Sequence, residues 1–273
     1  MTSTFQNCHS LVSIPLLDTS SVTNMDKMFL NCYSLVSIPQ LNTSQVTNMN
    51  YMFQNCRSLV NIPLLDTSQV TSMSYMFCGT YSLVSIPQLD TSQVTSMNYM
   101  FQNCCSLVSI PQLNTSSVTN MSYMFSDCYS LVSIPQLDTS QVTSMGNMFY
   151  YCCSLVSIPQ LNTSSVTNIN NMFNSCYSLV SVPQLDTGSV TSMTSTFQSC
   201  YSLTRVNIKN VKFAYQLNYS ALLSKESLLY LINNEVSTSM RTIQLHSYAY
   251  TRLANDPDIV AALANHPNIS IAQ

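Results

Sequence analysis

Residues 101–124 read FQNCCSLVSIPQLNTSSVTNMSYM, and Phe125 opens the same pattern again. Outward from that stretch, Phe recurs every 24 residues from Phe5 to Phe197, Pro from Pro15 to Pro183 and Leu from Leu11 to Leu203. Cys keeps the same step from Cys8 to Cys200, with Thr80 in the one gap. The unit is F-x-x-C-x-S-L-V-S-I-P-x-L-[DN]-T-S-x-V-T-x-M-x-x-M, with no insertion or deletion across nine Phe-led copies. A period that strict means stacked coils, each residue lying above its counterpart one coil along. One unit holds too few apolar side chains to close a core, so stacking must turn each apolar position into a ladder. Parallel strands about 4.8 Å apart then give a rod roughly 40 Å long.

Within the unit, S-L-V-S-I-P predicts a short strand: it alternates, is β-branched, and ends at Pro. The Asp or Asn before T-S supplies turn chemistry through bonds to nearby backbone N–H groups. V-T-x-M predicts a second short strand. The x-x-M-F-x-x-C segment predicts a helical turn, since Met28 and Cys32 sit at i and i+4.

The wording L-D-T-S-x-V-T-x-M-x-x-M-F-x-x-C-x-S-L closely resembles the BspA-type leucine-rich repeats of bacterial surface proteins, arrays also found in gut bacteria and their phages. The resemblance covers residues 1–204. It implies a leucine-rich-repeat-like solenoid: nine 24-residue coils of short parallel strands plus helical turns. It further implies adhesion or receptor binding at an extracellular, cell-surface or virion location, and brings no catalytic residues.

Residues 205–273 differ in character. The repeat region carries seven Asp against Lys27 and Arg57, whereas most of the remaining charge lies in this tail. Ser224 is placed to cap a helix from Lys225, and T-I-Q-L reads as a strand. A helix follows around Tyr248–Ala254. Asp256 caps another with Pro257 at its first position, and I-S-I is a last strand. These units are expected to continue the parallel sheet as a C-terminal α/β cap (residues 205–273) sealing the solenoid (residues 1–204). At the other end, Met1-Thr-Ser-Thr-Phe-Gln matches Met193-Thr-Ser-Thr-Phe-Gln, so the chain begins in mid-coil. An open edge of that kind is expected to be covered by another chain or by upstream sequence. MTSTFQNCHS shows no secretory signal.

The composition narrows the function. Charged residues are 7 % of the chain and hydrophobic ones 46 %, with net charge −3. That excludes the clustered basic charge of a nucleic-acid binder and, with no long apolar run, insertion into a membrane. The ladder cysteines read as small buried free thiols, because ladder neighbours point side by side rather than toward each other. Cys78, Cys105 and Cys153 lie off the ladder and are expected to face outward, open to oxidation. No cofactor or metal is expected: C-x-x-C is absent, three Gly preclude a phosphate loop, and the Asp/Asn column from Asp18 to Asp186 fits turns better than a cation. No His joins a nucleophile motif, so an enzyme is not expected.

Two columns vary between coils while the skeleton does not. After the ladder Cys stand His9, Tyr33, Arg57, Tyr81, Cys105, Tyr129, Cys153, Tyr177 and Tyr201; two residues before Phe stand Lys27, Tyr51, Tyr75, Tyr99, Tyr123, Asn147, Asn171 and Ser195. Freedom in a solenoid implies exposure. Tyr33, Tyr51, Tyr75, Tyr81, Tyr99, Tyr123, Tyr129 and Tyr177 are therefore the candidate ligand-binding residues. Rigid Tyr among Ser and Asn is paratope chemistry, and such rings also stack on sugar faces. The expected function is a non-enzymatic binding or adhesion module for a cell-surface glycan or protein. The alternatives are the receptor-binding part of a phage tail and a purely structural spacer.

Overall fold

The computed structural model describes residues 1–212, 216–234 and 239–273; Glu235 of the tail lies outside them. The repeat forms stacked parallel coils in register at 24 residues. Isolated parallel bridges run Asn24↔Asn48, Asn48↔Ser72 and onward to Asn168↔Ser192. Val36 N–H donates back to the Val12 carbonyl (3.0 Å), and each later Val of that column from Val84 to Val180 does the same.

The S-L-V-S-I-P segment is extended, yet among the first coils it is not a strand. Its Val N–H pairs between coils, but the stacked Pro residues supply no N–H, so the ladder cannot continue through them. Among the described residues only the eighth copy forms a full strand here, β1 (Ser181–Asp186), paired in parallel with β2 (Arg205–Lys209), which takes the same place in the ninth, across an irregularity between Val182 and Leu185. V-T-x-M likewise contributes single bridges rather than a strand.

The expected helical turn is instead a run of tight turns. Met28 N–H bonds to Met25 C=O (3.2 Å), and Cys32 N–H to Phe29 C=O (3.0 Å), closing two four-residue turns. The intervening N–H groups of Lys27, Phe29 and Asn31 point along the stack, to Asn50, Met52 and Gln54 carbonyls at 2.9 Å. A helix would turn every N–H onto its own coil; here alternate ones stitch the coils together. Each turn takes positive φ at its third residue, +57° at Lys27 and +62° at Asn31, the type II requirement. Gly79 meets it at +73°, where an added Cβ would stand 2.2 Å from Asn55 Oδ1.

The core consists of ladders. Phe rings stack at 5.4–5.8 Å with interplanar angles of 1–8° from Phe5 to Phe197. Met, Leu, Ile and Val columns are buried around them. Phe5, Leu11, Leu17 and Val22 of the first coil are only partly buried, because they have a neighbour on one side alone.

Beyond β2 the chain forms β3 (Gln216–Leu217), α1 (Lys225–Asn233), β4 (Arg241–Leu245), α2 (Ser247–Leu253), α3 (Pro257–Asn265) and β5 (Ile269–Ala272). The tail strands do not form one continuous sheet with the stack: β2 extends it, while β3, β4 and β5 make a separate parallel sheet in that order. Helix α1 packs on β2 and α3. Ser224 and Asp256 cap α1 and α3 as the sequence suggests, and His246 caps α2. The buried Ser227 hydroxyl ties α1 to β2, accepting from Val206 N–H and donating to Val206 C=O, both at 2.8 Å. Lys225 joins the two helix starts through Asp256 (2.9 Å) and Asp258 (2.6 Å).

Candidate functional site

The two variable columns flank the tight turns on one side of the stack. Tyr51, Tyr75, Tyr99 and Tyr123 occupy the third position of the first turn, with φ of +57° to +59°. Left-handed backbone is unusual for a bulky L-residue and strains it by roughly 1–3 kcal/mol. Asn147 and Asn171 hold the same position and conformation with less strain. The four rings form one half-buried stack, with centroids 4.8, 4.3 and 4.5 Å apart and angles of 7–13°. Lys27 Nζ closes its first end, 5.3 Å from the Tyr51 ring.

This geometry alters the chemistry expected of those rings. Their faces are occupied by each other, so no sugar ring can lie between them; ring edges and hydroxyls are what they offer. Burial, followed by the neighbouring Tyr99 and Tyr51, pushes the Tyr75 hydroxyl up to about 12, and burial with Tyr123 raises Tyr99. These hydroxyls remain protonated donors at neutral pH.

The second column lies at the corner that leads into the extended segment. Tyr81, Tyr129 and Tyr177 are 37–43 % exposed, whereas Tyr33 is half-buried. Here the structure brings residues together in short groups rather than one array. His9 packs on Tyr33 at 4.5 Å, and the Arg57 guanidinium lies between Tyr33 (4.5 Å) and Tyr81 (5.6 Å). Cys105 and Cys153 interrupt the rings on either side of Tyr129. Tyr177 continues through Tyr201 to Tyr219. Tyr151, which sequence reasoning passed over, packs edge-on against Tyr177 at 6.3 Å and against Tyr150 at 4.7 Å.

All eleven cysteines are free. From Cys32 to Cys200 each ladder thiol donates to the carbonyl of the Phe 27 residues earlier, at 3.0–3.2 Å. Thr80 makes the same bond through its hydroxyl, 2.9 Å to Phe53, which explains its place in the column. Cys78 is buried rather than outward, between Gln54 and Gln102, and burial raises its thiol to about 11. Cys105 and Cys153 are half-buried and likewise raised, chiefly by burial, so neither is a ready thiolate.

The Asp/Asn column makes turns. Asp18 Oδ1, for example, accepts the Ser20 N–H (3.0 Å) and hydroxyl (2.7 Å). Among the described residues no three His, Cys, Asp or Glu are placed to hold a metal.

Three hollows lie away from both Tyr columns, in a trough beside the Pro segments. One of about 900 Å³ is lined by residues including Gln136, Gln160, Asn162 and Lys209; two of about 620 and 630 Å³ lie along the earlier coils. The signal was legible as Gln in I-P-x-L. Gln112 Nε2 donates to Leu113 and Gln136 carbonyls (3.2 and 2.5 Å), a pattern repeated along the column. Its amide donors are thus committed to the backbone of its own coil and the next.

No curated protein matches the chain. Among solved structures, a leucine-rich repeat protein of T. pallidum is similar at 24 % identity and TM-score 0.46, covering 62 % of this chain and 77 % of that one. One from Bacteroides ovatus aligns at 16 % and 0.31 over 100 % and 87 %. An internalin from Listeria monocytogenes aligns at 12 % and 0.34 over 97 % and 87 %. With TM-scores below 0.5, the architecture rests on the coil geometry itself. The model of the family described as "Mycoplasma protein of unknown function, DUF285" matches residues 1–107, 57–156, 81–180 and 153–238, and the chain belongs to that family.

Proposed function

We propose that the chain is a non-enzymatic binding module of a cell or virion surface. In this reading the BspA-type solenoid of residues 1–204, closed by the cap of residues 205–273, presents its Tyr columns to a cell-surface protein or glycan. One observation carries it: four successive coils place a strained, left-handed Tyr where Asn suffices for the turn. The stack holds the hydroxyls in a fixed row, so little side-chain freedom is lost on binding. Since the ring faces are closed, recognition runs through edges and hydroxyls, which favours a protein partner over face-on stacking with a sugar. The exposed Tyr81, Tyr129 and Tyr177, with Tyr33, extend the same side.

The test is binding of the purified chain to intact and protease-stripped cells and to a glycan array, beside a variant with Tyr51, Tyr75, Tyr99 and Tyr123 all changed to Asn. The expected result is binding that protease treatment removes, that added salt leaves unchanged, and that the variant lacks with its circular dichroism intact. A folded variant that binds as the parent does would overturn the proposal.

A further inference from the structure

One position repeats without a packing reason. Val stands in every coil from Val12 to Val180 in steps of 24, and each is 41–56 % exposed. Extended backbone alone does not demand it, because Thr is equally β-branched. In the coil that follows, Thr204 takes the position, its N–H and hydroxyl both on the Val180 carbonyl at 2.9 and 3.1 Å. Elsewhere the stack keeps two methyls in water, eight times in a row.

The surroundings are nearly uncharged. The position after each Val is Ser, with Asn61 the exception up to Ser181, and the corner column borders it on the other side. Along the eight Val coils the one charge is Arg57, held between Tyr33 and Tyr81, and the exposed Arg205 follows where the column ends at Thr204.

We propose that this face is an interface between two copies of the chain, packed Val ladder against Val ladder about a twofold axis. A globular partner has no side-chain repeat to match the ladder; a stack with the same repeat of about 4.8 Å stays in step with it along its whole length, with methyls interdigitating as between packed sheets. An isologous contact also requires a self-complementary face, and one without like charges meets that condition. Antiparallel packing sets Arg57, in the third coil, opposite the sixth coil of the partner copy, keeping the two guanidinium groups apart. A strip about 40 Å long and 16 Å wide covers roughly 640 Å² per copy, or about 1,300 Å² in all, within the range of specific interfaces and near its lower end. The pair is therefore reversible. The interface borders the corner column but leaves out the Tyr51–Tyr123 stack, whose four-Asn variant tests the binding reading without touching the Val ladder.

Sedimentation equilibrium of the whole chain from about 1 to 100 µM tests it, beside Val84→Lys/Val108→Lys/Val132→Lys and, as a milder change that copies the residue at Thr204, Val84→Thr/Val108→Thr/Val132→Thr. The parent is expected to approach twice the monomer mass, the Lys variant to remain monomeric, and the Thr variant to dissociate at least about tenfold more readily. A parent that stays monomeric at the highest concentration refutes the interface. So does a dimer as tight in the Thr variant as in the parent, a result that decides the matter even if the Lys variant fails to fold.

Discussion

Tyr99 lies in the middle of the aromatic stack, 4.3 Å from Tyr75 and 4.5 Å from Tyr123, at φ +59°. Replacing it separates packing from backbone strain. Tyr99→Asn removes two ring contacts, each about 0.5–1.5 kcal/mol. It also relieves about 1 kcal/mol, because Asn adopts left-handed backbone more readily than most residues. The net loss is about 0–2 kcal/mol. Tyr99→Val removes the same contacts without that relief and puts a β-branched side chain where φ is positive. Its loss is about 2–5 kcal/mol. The Val variant should therefore be the less stable by about 2 kcal/mol, although Val is the more apolar residue and has the higher strand preference. Urea unfolding followed by circular dichroism measures the difference, with slopes compared because a long repeat array need not unfold in two states. A Val variant as stable as the Asn variant would show that the left-handed turn does not govern this position.

Acid should weaken the stack. Hydrogen bonds from the serine two positions on, its hydroxyl foremost at Asp18 and Asp66 and its N–H foremost at Asp90 and Asp138, hold these carboxyls below the ordinary aspartate range. Carboxyls depressed in the folded state favour folding above that range and lose the contribution as pH falls through it. The melting temperature is therefore expected to hold down to about pH 5 and to drop below about pH 4; a profile flat to pH 2 would contradict the turn assignment. Thiol labelling of the folded chain at pH 7 should be slow at Cys105 and Cys153, quicken with rising pH, and leave Cys128 untouched until unfolding. Fast labelling of Cys128 under native conditions would mean that the ladder opens.

Much of the coil was legible because a strict period leaves few ways to stack. Phe, Leu, Met and ladder Cys recur at one spacing, and one spacing without insertions permits one register. Ser224 and Asp256 were legible as caps because capping depends on residues within one turn. The segment around Phe was not, because i and i+4 spacing is shared by a helix and by two successive tight turns. What separates them is the direction of alternate N–H groups, which is settled by the coil above. S-L-V-S-I-P fell short of a strand for a related reason, since stacked Pro removes donors from neighbours at once.

The Tyr columns were found by their variability, but variability says nothing of orientation. Ring-on-ring stacking, the short groups around Arg57, and burial of Cys78 between two Gln side chains all depend on contacts 24 residues apart. The repeat, the apolar ladders and the scarcity of charge belong to the sequence alone, since they are properties of spacing and residue type. The left-handed turns, the closed ring faces, the outward Val ladder and the separate tail sheet were decided by tertiary structure, because each is set by the hydrogen bonds and volumes that one coil imposes on the next.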